Sequence, residues 1–190
     1  MIVLNSDKAF ATMQKYIKVE HLIKHSVATE ICMRAYAQKF DEDVEYWGAV
    51  GVLHDVDFEL YPEEHLLHTE SILTKEGFDQ EFIQNILSHD RKWDKPRTLI
   101  QKTLLAVDEM PGFVIACTLV RPDKDINNLQ IKSVMKKFKD KAFARAVNRE
   151  TMIASAADLG VKLEEHIDFI ITALAQAQQP DKIYRINLFA

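Results

Sequence analysis

Apolar residues recur three and four positions apart along almost the whole of this 190-residue chain, and no alternating apolar and polar run repeats. This spacing places apolar side chains on one face of an α-helix, so the pattern predicts helices rather than strands. The chain contains only five glycines and five prolines, which predicts few turns and long helices. At 47% apolar and 28% charged residues, the composition is typical of a folded globular protein. We therefore predict an all-α, single-domain helical bundle over residues 1–190.

Interruptions of this pattern predict where helices begin and end. Pro62 is placed to open a helix, Gly77 to end it, and the MPG stretch at residues 110–112 to break or kink a longer helix. The predicted helices cover residues 6–39 (as one helix or two), 42–54, 63–75, 79–90, 97–120 and the segment KLEEHIDFIITALAQA.

The sequence also disfavours several classes of protein. No run of eighteen apolar residues is present, so we expect no membrane-spanning segment. The first ten residues, MIVLNSDKAF, do not resemble a signal peptide. Cys32 and Cys117 are single and far apart, which predicts neither a disulfide framework nor a cysteine-based zinc site. We therefore expect a protein of the reducing cytoplasm without a membrane partner.

The net charge of -5 is unevenly distributed along the chain. Residues 41–81 carry thirteen acidic residues and one basic residue, Lys75, whereas residues 131–150 carry seven basic residues against Asp140 and Glu150. An acidic region that holds a cation and a basic region that binds an anion would account for this asymmetry. The alternative for residues 131–150, which we call the basic segment, is a solvated amphipathic helix. The overall acidity argues against nucleic-acid binding.

The stretch HDVDFELYPEEH, residues 54–65, places two histidines and five carboxylates directly after an apolar segment. Adjacent residues on a helix point about 100° apart, so His54 and Asp55 cannot both face a core, although both can reach one point beyond the helix end. Imidazole and carboxylate groups bind divalent metal ions, and two ligands are too few. Asp108 is a further candidate, because it lies in the apolar run TLLAVDEM, where a buried carboxylate needs a partner.

Other histidines could complete such a site or serve only the fold. His25, which follows another histidine by four residues, is a candidate ligand, and so are His65 and His89. For each of them the alternative is a histidine that only forms hydrogen bonds within the fold. We interpret the remaining histidines as structural, in the case of His21 and His68, or solvated, in the case of His166.

The order of His25, the adjacent His54 and Asp55, and Asp108 resembles that of the HD-domain superfamily of metal-dependent phosphohydrolases, which are all-helical. More narrowly, the stretches HDVDFELYPEEH, ILSHD, AVDEMPGFVIACTLVRP and KSVMKKFKDKAFARAVNRE resemble the HDIG subgroup of small HD hydrolases. The resemblance covers roughly residues 20–175. It implies an HD core over about residues 20–120, followed by C-terminal helices over residues 121–190.

The resemblance also implies one or two divalent metal ions per chain. The ligands of the first ion would be His25, His54, Asp55 and Asp108. The second ion would add His65 and His89. Asp90 stands where some relatives have a further histidine, and Val56-Asp57 replaces the Ile-Gly from which the subgroup takes its name. The mixed nitrogen and oxygen ligands suit Fe, Mn, Co, Ni or Zn.

Such a site would hydrolyse a phosphate ester. The metal ion lowers the pKa of a bound water molecule and polarises a phosphoryl oxygen. Asp57 or Glu59, just past the ligands, would transfer a proton or orient the water. The substrate phosphate would be contacted by cations of the basic segment, namely Lys132, Lys136, Lys137 and Arg145.

Two functions are consistent with these residues. The first is metal-dependent hydrolysis of a small-molecule phosphate ester, such as a nucleotide or a related phosphate. The second is an HD-type module that binds a nucleotide or a metal ion as a sensor, without turnover. The complete set of four ligands for the first ion favours the enzyme, whereas the departures at Asp57 and Asp90 keep the binding module open.

Overall fold

Helices form nearly all of the regular structure in the computed structural model, which describes residues 6–190. Within these residues the helices are α1 (Ser6–Tyr16), α2 (Glu20–Phe40), α3 (Val44–Leu53), α4 (Thr69–Lys75), α5 (Gln80–Leu87), α6 (Leu99–Val107), α7 (Glu109–Leu119), α8 (Ile131–Lys139), α9 (Arg149–Asp158) and α10 (Leu163–Ala177). Two short strands, β1 (Gln178–Gln179) and β2 (Lys182–Ile183), pair antiparallel. The predicted all-α fold is confirmed. Over the described residues, none of these helices has the length and apolar character needed to cross a membrane.

The chain divides into two compact units, of which the first ends at Leu105 and the second begins at Ala106. The single domain predicted over residues 1–190 stays a prediction.

In the first unit, α3 packs against both α1 and α2. Asp43 caps its N-terminus, because its Oδ1 accepts hydrogen bonds from the N–H groups of Glu45 at 2.9 Å and Tyr46 at 3.0 Å. Every residue from Trp47 to Leu53 is buried. This enclosure explains why the sequence of α3 is a continuous apolar run rather than one apolar stripe.

Two glycines allow α3 to approach α2 closely. A Cβ atom at Gly48 would lie 2.8 Å from Cγ of Arg34, and one at Gly51 would lie 3.0 Å from Cα of Glu30. The first neighbour is a side chain that can move, whereas the second is backbone that cannot move alone. A side chain at position 51 would therefore force the backbones of α2 and α3 apart by a few tenths of an ångström.

Residues 54–68 connect α3 to α4 through turns, although a helix was predicted from residue 63. Pro62 opens only the 3-10 turn Pro62–Glu64, and α4 begins at Thr69. Leu66, between the two, has a φ of 73°, a left-handed conformation that an α-helix does not contain. The predicted start of this helix is therefore wrong. Its predicted end is confirmed, since Gly77 follows α4 with a φ of 83°.

In the second unit, α10 packs against α7, α8 and α9. Its buried face includes Ile167 and Ile170. The helix break predicted at residues 110–112 lies instead at Asp108, between α6 and α7. Pro111 is accommodated in the first turn of α7, because the N–H groups there have no acceptor within the helix.

The basic segment is a helix followed by turns. The side chain of Arg149, the first residue of α9, donates hydrogen bonds to carbonyl groups of the connection from α8, including those of Phe138 at 2.8 Å and Asp140 at 3.1 Å. Its guanidinium also lies over the rings of Phe113 and Phe138, at 5.4 and 5.8 Å from their centroids. Arg149, one of the basic residues of this segment, therefore stabilises the turns between α8 and α9.

Candidate metal centre

Helices α2 and α3 bring His25 and His54 together. His25 lies in the second turn of α2, and His54 follows the last residue of α3. Their Nε2 atoms are 2.9 Å apart. The His54 side chain is fully buried and that of His25 is 24% exposed. The close packing at Gly51, one turn before His54, sets this short separation.

Asp55 places one carboxylate oxygen toward each of two pairs of histidines. Its Oδ2 lies 3.3 Å from Nε2 of His25 and 3.4 Å from Nε2 of His54. Its Oδ1 lies 3.2 Å from Nε2 of His65 and 3.5 Å from Nε2 of His89. Within the first unit, the structure therefore brings together the predicted metal ligands His25, His54, Asp55, His65 and His89.

The second histidine pair comes from two turns rather than from helices. His65 follows the 3-10 turn at Pro62, and His89 follows α5 by two residues. Their Nε2 atoms are 3.3 Å apart. His89 is only 5% exposed, so most of this pair is screened from water.

The spacing of these atoms matches that of ligands around a metal ion. Ligand atoms at about 2.1 Å from a tetrahedral ion lie about 3.4 Å from one another. The three atoms of His65, His89 and Asp55 Oδ1 are separated by 3.2–3.5 Å. Those of His25, His54 and Asp55 Oδ2 are separated by 2.9–3.4 Å. Both sets of three fit one ion each, with Asp55 shared between them.

The hydrogen bonds of the ring nitrogens show which ring atoms face the centre of the site. Nδ1 of His54 lies 2.8 Å from the carbonyl oxygen of Gly51, and Nδ1 of His89 lies 2.6 Å from that of Ile86. A carbonyl only accepts, so both Nδ1 atoms donate and a neutral ring has a lone pair on Nε2. These lone pairs face the lone pairs of Asp55. Protons or metal ions must separate them, and the nitrogen and oxygen donors fit a divalent transition metal.

The charges of the site follow from the same contacts. Burial alone would raise the pKa of Asp55, but the charge of His54 and hydrogen bonds from three further histidines hold it well below its usual range. Burial alone would lower the pKa of His65, but its hydrogen bonds to Asp55 and Asp57 raise it to about 10. In the absence of metal, His65 is therefore a cation that balances these carboxylates.

The two predicted proton-transfer residues have hydrogen-bond partners within the protein. Asp57 is fully buried, and its Oδ1 lies 2.9 Å from Nδ1 of His65. Glu59 Oε2 accepts hydrogen bonds from the N–H groups of Lys18 at 2.7 Å and Val19 at 2.9 Å, at the start of α2. These bonds hold the pKa of Glu59 below its usual range. Glu59 therefore holds the two residues that precede α2, and proton transfer by either carboxylate stays a prediction.

The other predicted site residues lie in the second unit. Asp108 is half-buried at the junction of α6 and α7, and its role as a metal ligand stays a prediction. Lys132 and Lys136 are exposed and one turn apart on α8, whereas Nζ of Lys137 lies 4.8 Å from the ring centroid of Phe143. The fourth predicted phosphate contact, Arg145, is exposed in the turn that follows.

The remaining histidines include one correction. His21 is exposed, and His68 stacks on Tyr61 with centroids 3.8 Å apart. The structural roles expected of both histidines stay predictions. The prediction that His166 is solvated is wrong. It is fully buried on α10, and its Nε2 lies 2.9 Å from the carbonyl oxygen of Ala106. The charged residues next to His166 in the sequence suggested that it is exposed to solvent. They lie on the opposite face of the helix.

Gly51 contributes to the site in two ways that the sequence analysis missed. It allows α3 to approach α2, and its carbonyl oxygen accepts the hydrogen bond from His54. The signal that could have shown the first role is the pair Gly48 and Gly51, three residues apart in an apolar helix.

Comparison with known proteins identifies the family of this chain. The family model of the HD domain matches residues 22–159, a range that contains His25, His54, Asp55, His65 and His89. Comparison with curated proteins and with solved structures gives no significant match. The matched range covers most of the chain and every residue of the converging cluster. The chain therefore belongs to the HD domain family, a superfamily of metal-dependent phosphohydrolases.

Proposed function

We propose that this protein is a phosphohydrolase of the HDIG type that hydrolyses a phosphate ester of a small molecule, such as a nucleotide, with one or two divalent metal ions. The observation that carries the proposal is the position of Asp55 between two pairs of histidines. Each pair, with one oxygen of Asp55, has the spacing of ligands around one ion. Two ions that share a carboxylate can stabilise both the attacking and the leaving oxygen of a phosphoryl group.

The residues of the chain hold this chemistry in place. When bound, a divalent ion lowers the pKa of a water molecule and polarises a phosphoryl oxygen. The carbonyl groups of Gly51 and Ile86 fix the ring orientation of His54 and His89. The side chains of His25 and His65 are 24% and 25% exposed, so both rings are partly accessible to water.

Because of the family resemblance, we also propose roles for residues of the second unit. Asp108 would be a further metal ligand, and the substrate phosphate would be contacted by Lys132, Lys136, Lys137 and Arg145. The charge of the basic segment, seven basic against two acidic residues, supports an anionic ligand. We propose the reducing cytoplasm as the location of this activity.

Metal analysis followed by a substrate screen tests the proposal. We expect purified protein to bind a transition metal and, with Mn²⁺ or Co²⁺, to hydrolyse at least one compound in a panel of phosphate monoesters and diesters. Asp55→Ala removes the carboxylate shared by both histidine pairs, so metal affinity and hydrolysis should each fall by more than about 100-fold. Circular dichroism should show that the variant stays folded.

Asp79→Asn is the matched control. The carboxylate of Asp79 is exposed and accepts the N–H of Phe82 at 2.9 Å, at the start of α5. Asparagine caps a helix equally well, so this variant should keep wild-type metal content and activity. Bound metal without turnover across the panel would favour the sensory module. Full activity and metal content in Asp55→Ala would contradict the proposed metal centre.

A further inference from the structure

Asp57 is a fully buried carboxylate whose two oxygens both accept hydrogen bonds. Its Oδ1 lies 2.9 Å from Nδ1 of His65, and its Oδ2 accepts the backbone N–H of His68 at 3.3 Å. A carboxylate without a proton only accepts, so Nδ1 of His65 is the donor. The other nitrogen, Nε2, is thereby directed to Oδ1 of Asp55, at 3.2 Å.

His65 differs from the other two histidines whose Nδ1 partner is known. His54 and His89 each donate to a carbonyl group three residues back, at the end of the helix that precedes them. His65 lies in the irregular segment 54–68, and the next residue, Leu66, has a φ of 73°. No helix end orients its ring, and a buried side chain eight residues earlier performs this task.

The second hydrogen bond of Asp57 fixes the carboxylate itself. Oδ2 is held by the N–H of His68 while Oδ1 faces Nδ1 of His65, so the carboxylate is fixed at both of its oxygens. Both contacts lie in the turn that leads into α4, so Asp57 joins the start of the irregular segment to its end. The side chain is also screened from water, which strengthens these charge-assisted hydrogen bonds.

We propose that Asp57 is a positioning residue for the metal ion bound by His65 and His89, and that it acts through His65 rather than by proton transfer to substrate. This inference rests on the proposed function, since it assigns a role within that site. Its chemical basis is general: a ligating histidine whose other nitrogen donates to a carboxylate is held in one orientation and binds metal more strongly.

Metal titration with paired variants tests the inference. Asp57→Asn keeps the size of the side chain but cannot accept at both oxygens, so affinity for the ion that depends on His65 should fall about 10- to 100-fold. His65→Ala should weaken the binding of the same ion. If Asp57 acts through His65, the double variant should bind Mn²⁺ no more weakly than His65→Ala alone. Additive losses would overturn the inference, as would wild-type Mn²⁺ affinity in Asp57→Asn.

Two further measurements separate positioning from proton transfer and from loss of folding. At saturating Mn²⁺, Asp57→Asn should recover most of the wild-type turnover, whereas loss of a proton-transfer group would not be rescued by metal. In the metal-free wild-type protein, ¹⁵N NMR should show a slowly exchanging proton on Nδ1 of His65. Its absence would overturn the inference without any variant. Titration and NMR do not require hydrolysis, so they remain decisive even if the proposed activity fails.

Discussion

Three imidazoles of the candidate metal centre are held through Nδ1, which leaves Nε2 for the middle of the site. His54 and His89 donate to carbonyl groups, and His65 donates to Asp57. Of these three, only His65 therefore lies between two carboxylates, with Asp55 on its other side. At Nε2 of His65, a proton and a metal ion therefore compete for the same nitrogen.

We predict that metal binding releases a proton from His65. Its pKa in the metal-free protein is raised to about 10, so Nε2 carries a proton near pH 7 and must lose it before it can bind metal. Metal affinity should therefore fall as the pH is lowered, by at most about tenfold per pH unit for this proton. Calorimetric titration in buffers of different ionisation enthalpy measures the number of protons released.

Two variants and one pH series decide this prediction. His65→Ala should release fewer protons than the wild type, whereas His21→Ala, a change at an exposed histidine, should leave the number unchanged. Equal metal affinity at pH 6 and pH 8 would contradict the prediction.

At this scale the sequence predicted the composition of the cluster but not its internal contacts. The five residues of the cluster were predicted from motif order and from family resemblance. Both reflect which side chains can bind a metal ion. The partner of a given ring nitrogen depends on backbone geometry that no local pattern contains. Glu59 and His166 show the limit, because no local pattern indicated that Glu59 accepts hydrogen bonds from the N–H groups of Lys18 and Val19, or that His166 is buried.

At the scale of secondary structure, the packing of α3 on α2 determines how close His25 and His54 lie. His25 is on α2 and His54 directly follows α3, so the separation of their Nε2 atoms depends on how closely these helices pack. Gly51 is the position where that packing leaves no room for a side chain.

We predict that Gly51→Ala destabilises the protein and weakens metal binding. The added Cβ would lie 3.0 Å from Cα of Glu30, so the helices must move apart. Overpacking of this kind costs about 1–3 kcal/mol, which exceeds the gain of up to about 1 kcal/mol from the higher helix propensity of alanine. Thermal or urea unfolding gives the free energy, and a Mn²⁺ titration gives the affinity.

Gly112 provides the control for this experiment. It lies in α7, and a Cβ atom added there meets nothing within 4 Å among the residues that the structure describes. Gly112→Ala should therefore be neutral or stabilising by up to about 1 kcal/mol. If Gly51→Ala behaves in the same way as Gly112→Ala, the close packing of α2 on α3 does not control stability.

Most helices were predictable from periodicity, and the errors have identifiable causes. The helix predicted from residue 63 begins at Thr69, because proline at a first position favours a 3-10 turn as readily as an α-helix. The break expected at residues 110–112 lies at Asp108, because proline in the first turn of a helix requires no interruption. The hairpin of β1 and β2 is too short to give an alternating pattern.

On the scale of the whole molecule, the candidate metal centre joins distant parts of the first unit. Its five residues come from α2, from the end of α3, from the irregular segment and from the turn after α5. Residues 1–105 contain 18 acidic and 12 basic residues, a net charge of -6, whereas residues 106–190 have a net charge of +1. A cation bound in the first unit therefore connects its separate segments and offsets part of its negative charge.

We predict that metal binding stabilises the first unit against unfolding. A ligand at about 100 times its dissociation constant that binds only the folded state contributes about 2.7 kcal/mol, which raises the Tm by about 5–10 °C for a chain of this length. Scanning calorimetry with Mn²⁺, and then with excess EDTA, measures this shift and its reversal. Asp55→Ala should show no shift, because it removes the carboxylate that both histidine pairs face, whereas Asp79→Asn should show the full shift. Equal melting temperatures with Mn²⁺ and with EDTA would mean that the cluster binds no metal in the folded state, and the lone pairs around Asp55 would then have to be separated by protons alone.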